Sequence, residues 1–184
     1  MINSELYKWI VPCGADKSVP DKCGEHEIYR VEVARKELKK TNNPPSKEEI
    51  ISYVNSFLES IGMLQTCFYH KIENTKRKVE YYKISIDEKY QGKIKDKRDI
   101  VWIKFTNDGY IGAVCVSNDV NFDYDNTSGK IINYVGQLWD ESFVLLVPLC
   151  DIPDGLDRRS IESGIGNYLI SKGVPILDYY SHIF

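Results

Sequence analysis

The clearest periodic segment of the chain follows the break Asn42-Asn43-Pro44-Pro45. There Ile50, Ile51, Val54, Phe57, Leu58 and Ile61 recur at helical spacing and make one apolar face. Ser46 and Glu49 form a capping box that starts this helix, and Gly62 stands where a C-terminal glycine cap belongs. Upstream, Ile28, Val31, Val33, Ala34 and Leu38 predict an amphipathic helix, or a strand running into one, that ends at the Asn-Pro break. The residues before Ile28 offer only a short apolar run, Trp9-Ile10-Val11, then Pro12-Cys13-Gly14 and a polar loop to Gly24.

Downstream the pattern changes to strands. Met63 to Ile72 and Val79 to Ile86 predict a hairpin with a basic tip around Lys76 and Arg77. The charged stretch Tyr90 to Arg98 is the best domain boundary. It separates an N-terminal helix-plus-hairpin subdomain (1–90) from a C-terminal α/β domain (98–184). Ile100 to Phe105 and Tyr110 to Val116 form a second hairpin through Thr106-Asn107-Asp108-Gly109, where Asp-Gly is a strong turn signal. A polar, acidic loop follows. Gly129 to Trp139 carries Ile131, Ile132, Val135 and Leu138 at helical spacing. Phe143 to Leu149 is continuously apolar and reads as a central strand. Ile161 to Ser171 is the last helix, with Ile161, Ile165 and Leu169 inward and Gly173 at its end. The expected fold class is α+β, a small mixed sheet flanked by helices, with the N-terminal helix-plus-hairpin subdomain attached.

Composition narrows the function classes. The 184 residues suffice for one good core. A formal net charge of −3 supplies no global reason to bind nucleic acid, so any such surface is local. The longest apolar run, Phe143 to Cys150, is too short to span a bilayer. Met1-Ile2-Asn3-Ser4-Glu5 lacks the layout of a signal peptide, so the expected location is cytoplasmic. Five Cys without an export signal favour reduced thiols over disulfides.

One constellation points to a chemistry. The hairpin carrying Tyr110-Ile111-Gly112, the helix that starts near Lys130, the strand from Phe143, and the helix carrying Arg158, Arg159 and Glu162 before Pro175 follow one another in order. Over residues 98–180 this order resembles the GIY-YIG nucleases, and Tyr110-Ile111-Gly112 matches the second tripeptide of the family name. The resemblance implies a metal-dependent phosphodiesterase of restriction, defence or mobile-element type acting on nucleic acid. By it, Glu162 would hold Mg²⁺ or Mn²⁺ and Tyr110 would lie near the attacking water. Lys130 with Arg158 or Arg159 would offset phosphate charge. Such roles suit the reaction, because a hard carboxylate matches Mg²⁺ and cations stabilise the transition state. The chain departs from the family in two places. Val101-Trp102-Ile103 stands where Gly-Ile-Tyr is expected, and Lys130 is the only cation at the start of the helix that carries an Arg in the family.

A second constellation is metal-like. Cys23 and His26, and Cys67 and His70, each have Cys-x₂-His spacing, and two such pairs make a tetrahedral structural Zn²⁺ site. On a regular strand, however, Cys67 and His70 point to opposite faces, and the competing reading makes Cys67 a small core residue and His70 exposed. Asp119, Asp123 and Asp125 share one loop without the frame of an EF-hand, so a solvated loop is the expectation there. The alternative to an enzyme is a non-enzymatic interaction protein from a phage or mobile element, binding a host protein or nucleic acid through its Tyr residues and polar loops.

Overall fold

The computed structural model describes residues 23–63, 67–72, 100–117, 127–149 and 152–178, with the backbone alone described for 23–29, Ser117 and Thr127. The expected second strand of the N-terminal hairpin, its expected basic tip, the charged connector and the acidic loop all lie outside these residues. Four helices and five strands are described: α1 (Cys23–Leu38), α2 (Lys47–Ser60), β1 (Phe68–Lys71), β2 (Ile100–Phe105), β3 (Ile111–Ser117), α3 (Thr127–Tyr134), β4 (Phe143–Pro148), α4 (Arg158–Ser171) and β5 (Ile176–Asp178). The strands form one mixed sheet in the order β1-β4-β2-β3-β5. Only the β3–β5 pair is parallel; the others run antiparallel. This is an α+β fold with helices on both faces of the sheet.

Local chemistry accounts for the element boundaries. Ser46 caps α2 by accepting from the Glu49 amide at 3.2 Å, while the Glu49 carboxylate accepts from the Ser46 amide at 2.8 Å. Asp157 caps α4 by accepting from the Ser160 amide at 2.7 Å. The β2–β3 turn closes as Asp-Gly turns do, with the Gly109 amide donating to the Thr106 carbonyl at 2.9 Å.

The helix after β3 ends earlier than its periodicity suggests. Residues 129–139 were expected to be helical, yet α3 stops at Tyr134. Gly136 adopts φ +74°, a conformation that glycine reaches without steric penalty. The Gly136 amide then donates to Asn133 and the Gln137 amide to Ile132, which closes the helix as a Schellman cap. Leu138, which falls at helical spacing with Ile131 and Val135, is consequently off the helix and 60% exposed. Trp139 leaves the helix altogether and bridges to Thr106 beside β2.

Both faces of the sheet are covered. Val101, Ile103, Phe105, Leu145 and Val147 face α2 and α4, packing with Ile50, Val54, Phe57, Ile161, Ile165 and Leu169. Ile100, Trp102, Val144, Leu146 and Leu177 face α1 and α3, packing with Ala34, Ile131, Ile132 and Trp139. Strands β2 and β4 are buried at every position, which is why neither alternates: β4 is an unbroken apolar run, and β2 is interrupted only by Lys104. β1, read from the sequence as the first strand of an N-terminal hairpin, joins this same sheet, with Phe68 opposite Leu146 and Tyr69 opposite Leu145.

Candidate functional site

Each residue of the Tyr110-Ile111-Gly112 tripeptide is held by an internal contact. The Tyr110 hydroxyl donates to the Thr41 carbonyl at 2.5 Å, tying the start of β3 to the loop after α1. Ile111 is buried in the core on the α2/α4 side. Gly112 falls where the β2–β3 register shifts, since Lys104 opposes Ala113 while Phe105 opposes Ile111. The ring of Trp139 lies directly on it.

Glu162 lies on the other side of the sheet. It projects from the first turns of α4, and one carboxylate oxygen accepts the Val116 amide of β3 at 2.9 Å. Burial pushes its carboxyl up to about 7, opposed by the Val116 hydrogen bond and by the charges of Arg159 and Arg158. Glu162, Arg158 and Arg159 thus come together, as their spacing on one helix requires.

Tyr110 does not join them, since its ring packs with the cluster on the α1/α3 side. Lys130 is exposed on α3, the helix covering that same side. The five residues expected to share one cleft therefore divide into two groups separated by the sheet.

The metal-like residues also divide. Cys67 is buried in the α2/α4 core, and burial pushes its thiol up to about 12. Phe68 packs on the opposite side, and His70, two residues further along β1, follows it there. The side chains of Cys23 and His26 lie outside the described residues. Among the described residues no three His, Cys, Asp or Glu side chains gather as a metal-binding group. Glu162 brings one hard ligand, shared with a backbone amide and flanked by two cations. That donor set alone does not assemble a divalent-cation site. Asp119, Asp123 and Asp125 lie outside the described residues.

The α1/α3 face carries charged residues that periodicity alone did not single out. Lys104 is 1% exposed, with its ammonium 4.4 Å from the Trp139 ring centroid and 5.3 Å from that of Trp102. Arg30 of α1 grips Asp178 of β5 through two hydrogen bonds, 2.8 Å from Nε and 2.5 Å from Nη2. Cys115 sits nearby. Burial, with the negative charges of Glu162 and Asp178, raises its thiol well above the ordinary range, which leaves it unsuited to nucleophilic attack. A lysine inside Ile-Val-Trp-Ile-Lys-Phe was a readable signal, because a strand buried on both faces leaves such a cation nowhere to solvate. Arg30 and Asp178 are 148 residues apart and carry no such signal.

No family model, curated protein or solved structure matches this chain. Among the described residues no helix is long and apolar enough to cross a membrane.

Proposed function

We propose that this protein acts by binding another protein, without catalysing a reaction of its own. The observation that carries this reading is the division of the expected catalytic set. Tyr110 and Glu162 are each engaged in a bond to backbone, on opposite sides of the sheet. A phosphoryl-transfer site needs its cation, its carboxylate and its water-positioning group around one phosphorus atom. The thiols of buried Cys67 and half-buried Cys115, both held above the ordinary range, are likewise poor nucleophiles.

The competing reading is the metal-dependent phosphodiesterase, and what favours it is the grouping of half-buried Glu162 with Arg158 and Arg159. Incubation of wild type and Glu162→Gln with supercoiled plasmid, linear duplex and single-stranded RNA, in Mg²⁺ and in Mn²⁺, separates the two. The expected result is no cleavage by either protein. Cleavage by wild type that disappears in Glu162→Gln overturns the binding reading.

A further inference from the structure

At one end of the sheet the β2–β3 turn meets the loop between α3 and β4. The Asn107 amide donates to the Leu138 carbonyl at 2.9 Å, and the Asp140 amide to the Phe105 carbonyl at 2.9 Å. Gln137 reaches across to Asp108, donating from Nε2 at 2.9 Å. These bonds fix the 137–140 segment, and they fix it with its apolar side chain outward. Leu138 and Tyr134, on either side of the Gly136 turn, are each 60% exposed. A chain can hide a leucine at this position by continuing the helix, as the spacing from Ile131 suggests. The glycine cap prevents it.

The same small region concentrates unmet polar groups. Trp139 Nε1, Thr106 Oγ1 and Gln137 Oε1 are buried atoms with no hydrogen-bond partner. The Trp139 and Thr106 side chains belong to residues only 4% and 1% exposed. Buried polar atoms in folded proteins are nearly always paired, so three orphans beside one exposed leucine call for a physical explanation. Together they comprise a donor, an acceptor and a hydroxyl that can be either, the complement of a peptide backbone. The carboxylates of this end, Asp108, Asp140 and Glu141, supply negative charge, with Lys130 one turn before Tyr134 the cation of α3. A second copy of the chain would bring the same carboxylates to face their like, which disfavours self-association through this end.

Resting on the reading of this protein as a binder, we infer that this end of the sheet, Asp108 with Tyr134 to Glu141, docks a segment of a partner protein that brings an apolar anchor side chain flanked by Lys or Arg. Leu138 and Tyr134 receive the anchor, and the carboxylates select the basic flanks.

The test uses a displayed library of random dodecapeptides, panned on the full-length protein. Wild type is expected to enrich peptides with one large apolar residue beside two or more Lys or Arg. Leu138→Ser, whose exposed site tolerates the change, is expected to weaken those peptides about tenfold or more. Asp108→Asn with Glu141→Gln is expected to weaken them about threefold and to flatten their salt dependence. Circular dichroism confirms that each variant is folded.

Enrichment of acidic or neutral peptides, no enrichment, or binding unaffected by Leu138→Ser overturns the inference. So does sedimentation that shows a dimer dispersed by Leu138→Ser, or a labelled oligonucleotide whose binding that variant abolishes. Plasmid cleavage by wild type with the peptide results intact overturns only the non-enzymatic reading. Failed enrichment without cleavage overturns only the docking surface.

Discussion

Trp139 covers Gly112 so closely that a Cβ on the glycine would lie 2.2 Å from Trp139 Cζ3. The glycine sits at the register shift of the β2–β3 hairpin, and the indole crosses the strand there because no side chain stands in its way. The same ring receives the ammonium of Lys104. The third residue of the tripeptide thus has a full explanation in packing.

Gly112→Ala forces the indole off the strand. Overpacking of this kind costs about 1–3 kcal/mol. In a chain of this size that is a fall in melting temperature of roughly 2–10 °C. Thermal unfolding followed by tryptophan fluorescence checks it, with a red shift expected in the native emission. An unchanged melting temperature would show that the ring is not held against the strand.

The pH dependence of stability follows from Glu162. Its carboxyl is raised from 4.5 to about 7 in the folded protein, so between those values the native state holds a proton that the unfolded chain has released. The sign is therefore a stabilisation present in full below about 4.5 and lost as pH rises through 7. A displacement of this size corresponds to about 3 kcal/mol. Glu162→Gln keeps an oxygen for the Val116 amide and removes the charge. Urea unfolding at pH 5 and pH 8 is expected to show the variant gaining on wild type at the higher pH. Parallel pH profiles would contradict the burial of the carboxylate.

The Arg30–Asp178 pair fastens α1 to the last strand, with side chains only 12% and 7% exposed. Removing one partner leaves the other charge buried and is expected to cost about 3–5 kcal/mol. Arg30→Met combined with Asp178→Leu is expected to lose less than either change alone. A double-mutant cycle in denaturant measures this coupling; additive losses would mean that the pair does not hold α1 in solution.

Cys67 and Cys115 are expected to resist alkylation in the native protein, because burial raises both thiols. Peptide-mapped iodoacetamide labelling, native against denatured, reads each cysteine separately. Rapid native labelling of either would show that its strand opens readily.

How much was legible in the sequence depends on how local the cause was. The capping box Ser46–Glu49, the Asp108-Gly109 turn and the apolar runs of β2 and β4 involve neighbours within four residues or one strand, and each formed as expected. The end of α3 was misplaced because apolar spacing through Leu138 outweighed a single Gly136, although that glycine sets the cap. For the candidate site, the spacing of Arg158, Arg159 and Glu162 fixed their proximity on one helix. Nothing local told which side of the sheet that helix would cover, or that Tyr110 would pack on the other.

The sequence by itself determined the order of the elements, the central place of the Phe143 strand and both ends of α2, while α1 and α4 begin several residues before their apolar patterns do. Backbone preference and hydrophobic period act over a few residues and need no knowledge of the rest of the chain. Only the tertiary structure decided that β1 pairs with β4, that β5 lies parallel to β3, that Arg30 meets Asp178, and that Glu162 accepts the Val116 amide. Those contacts join residues tens to more than a hundred positions apart. They form because the folded sheet must cover both faces and satisfy each buried polar group with whatever partner the topology brings near.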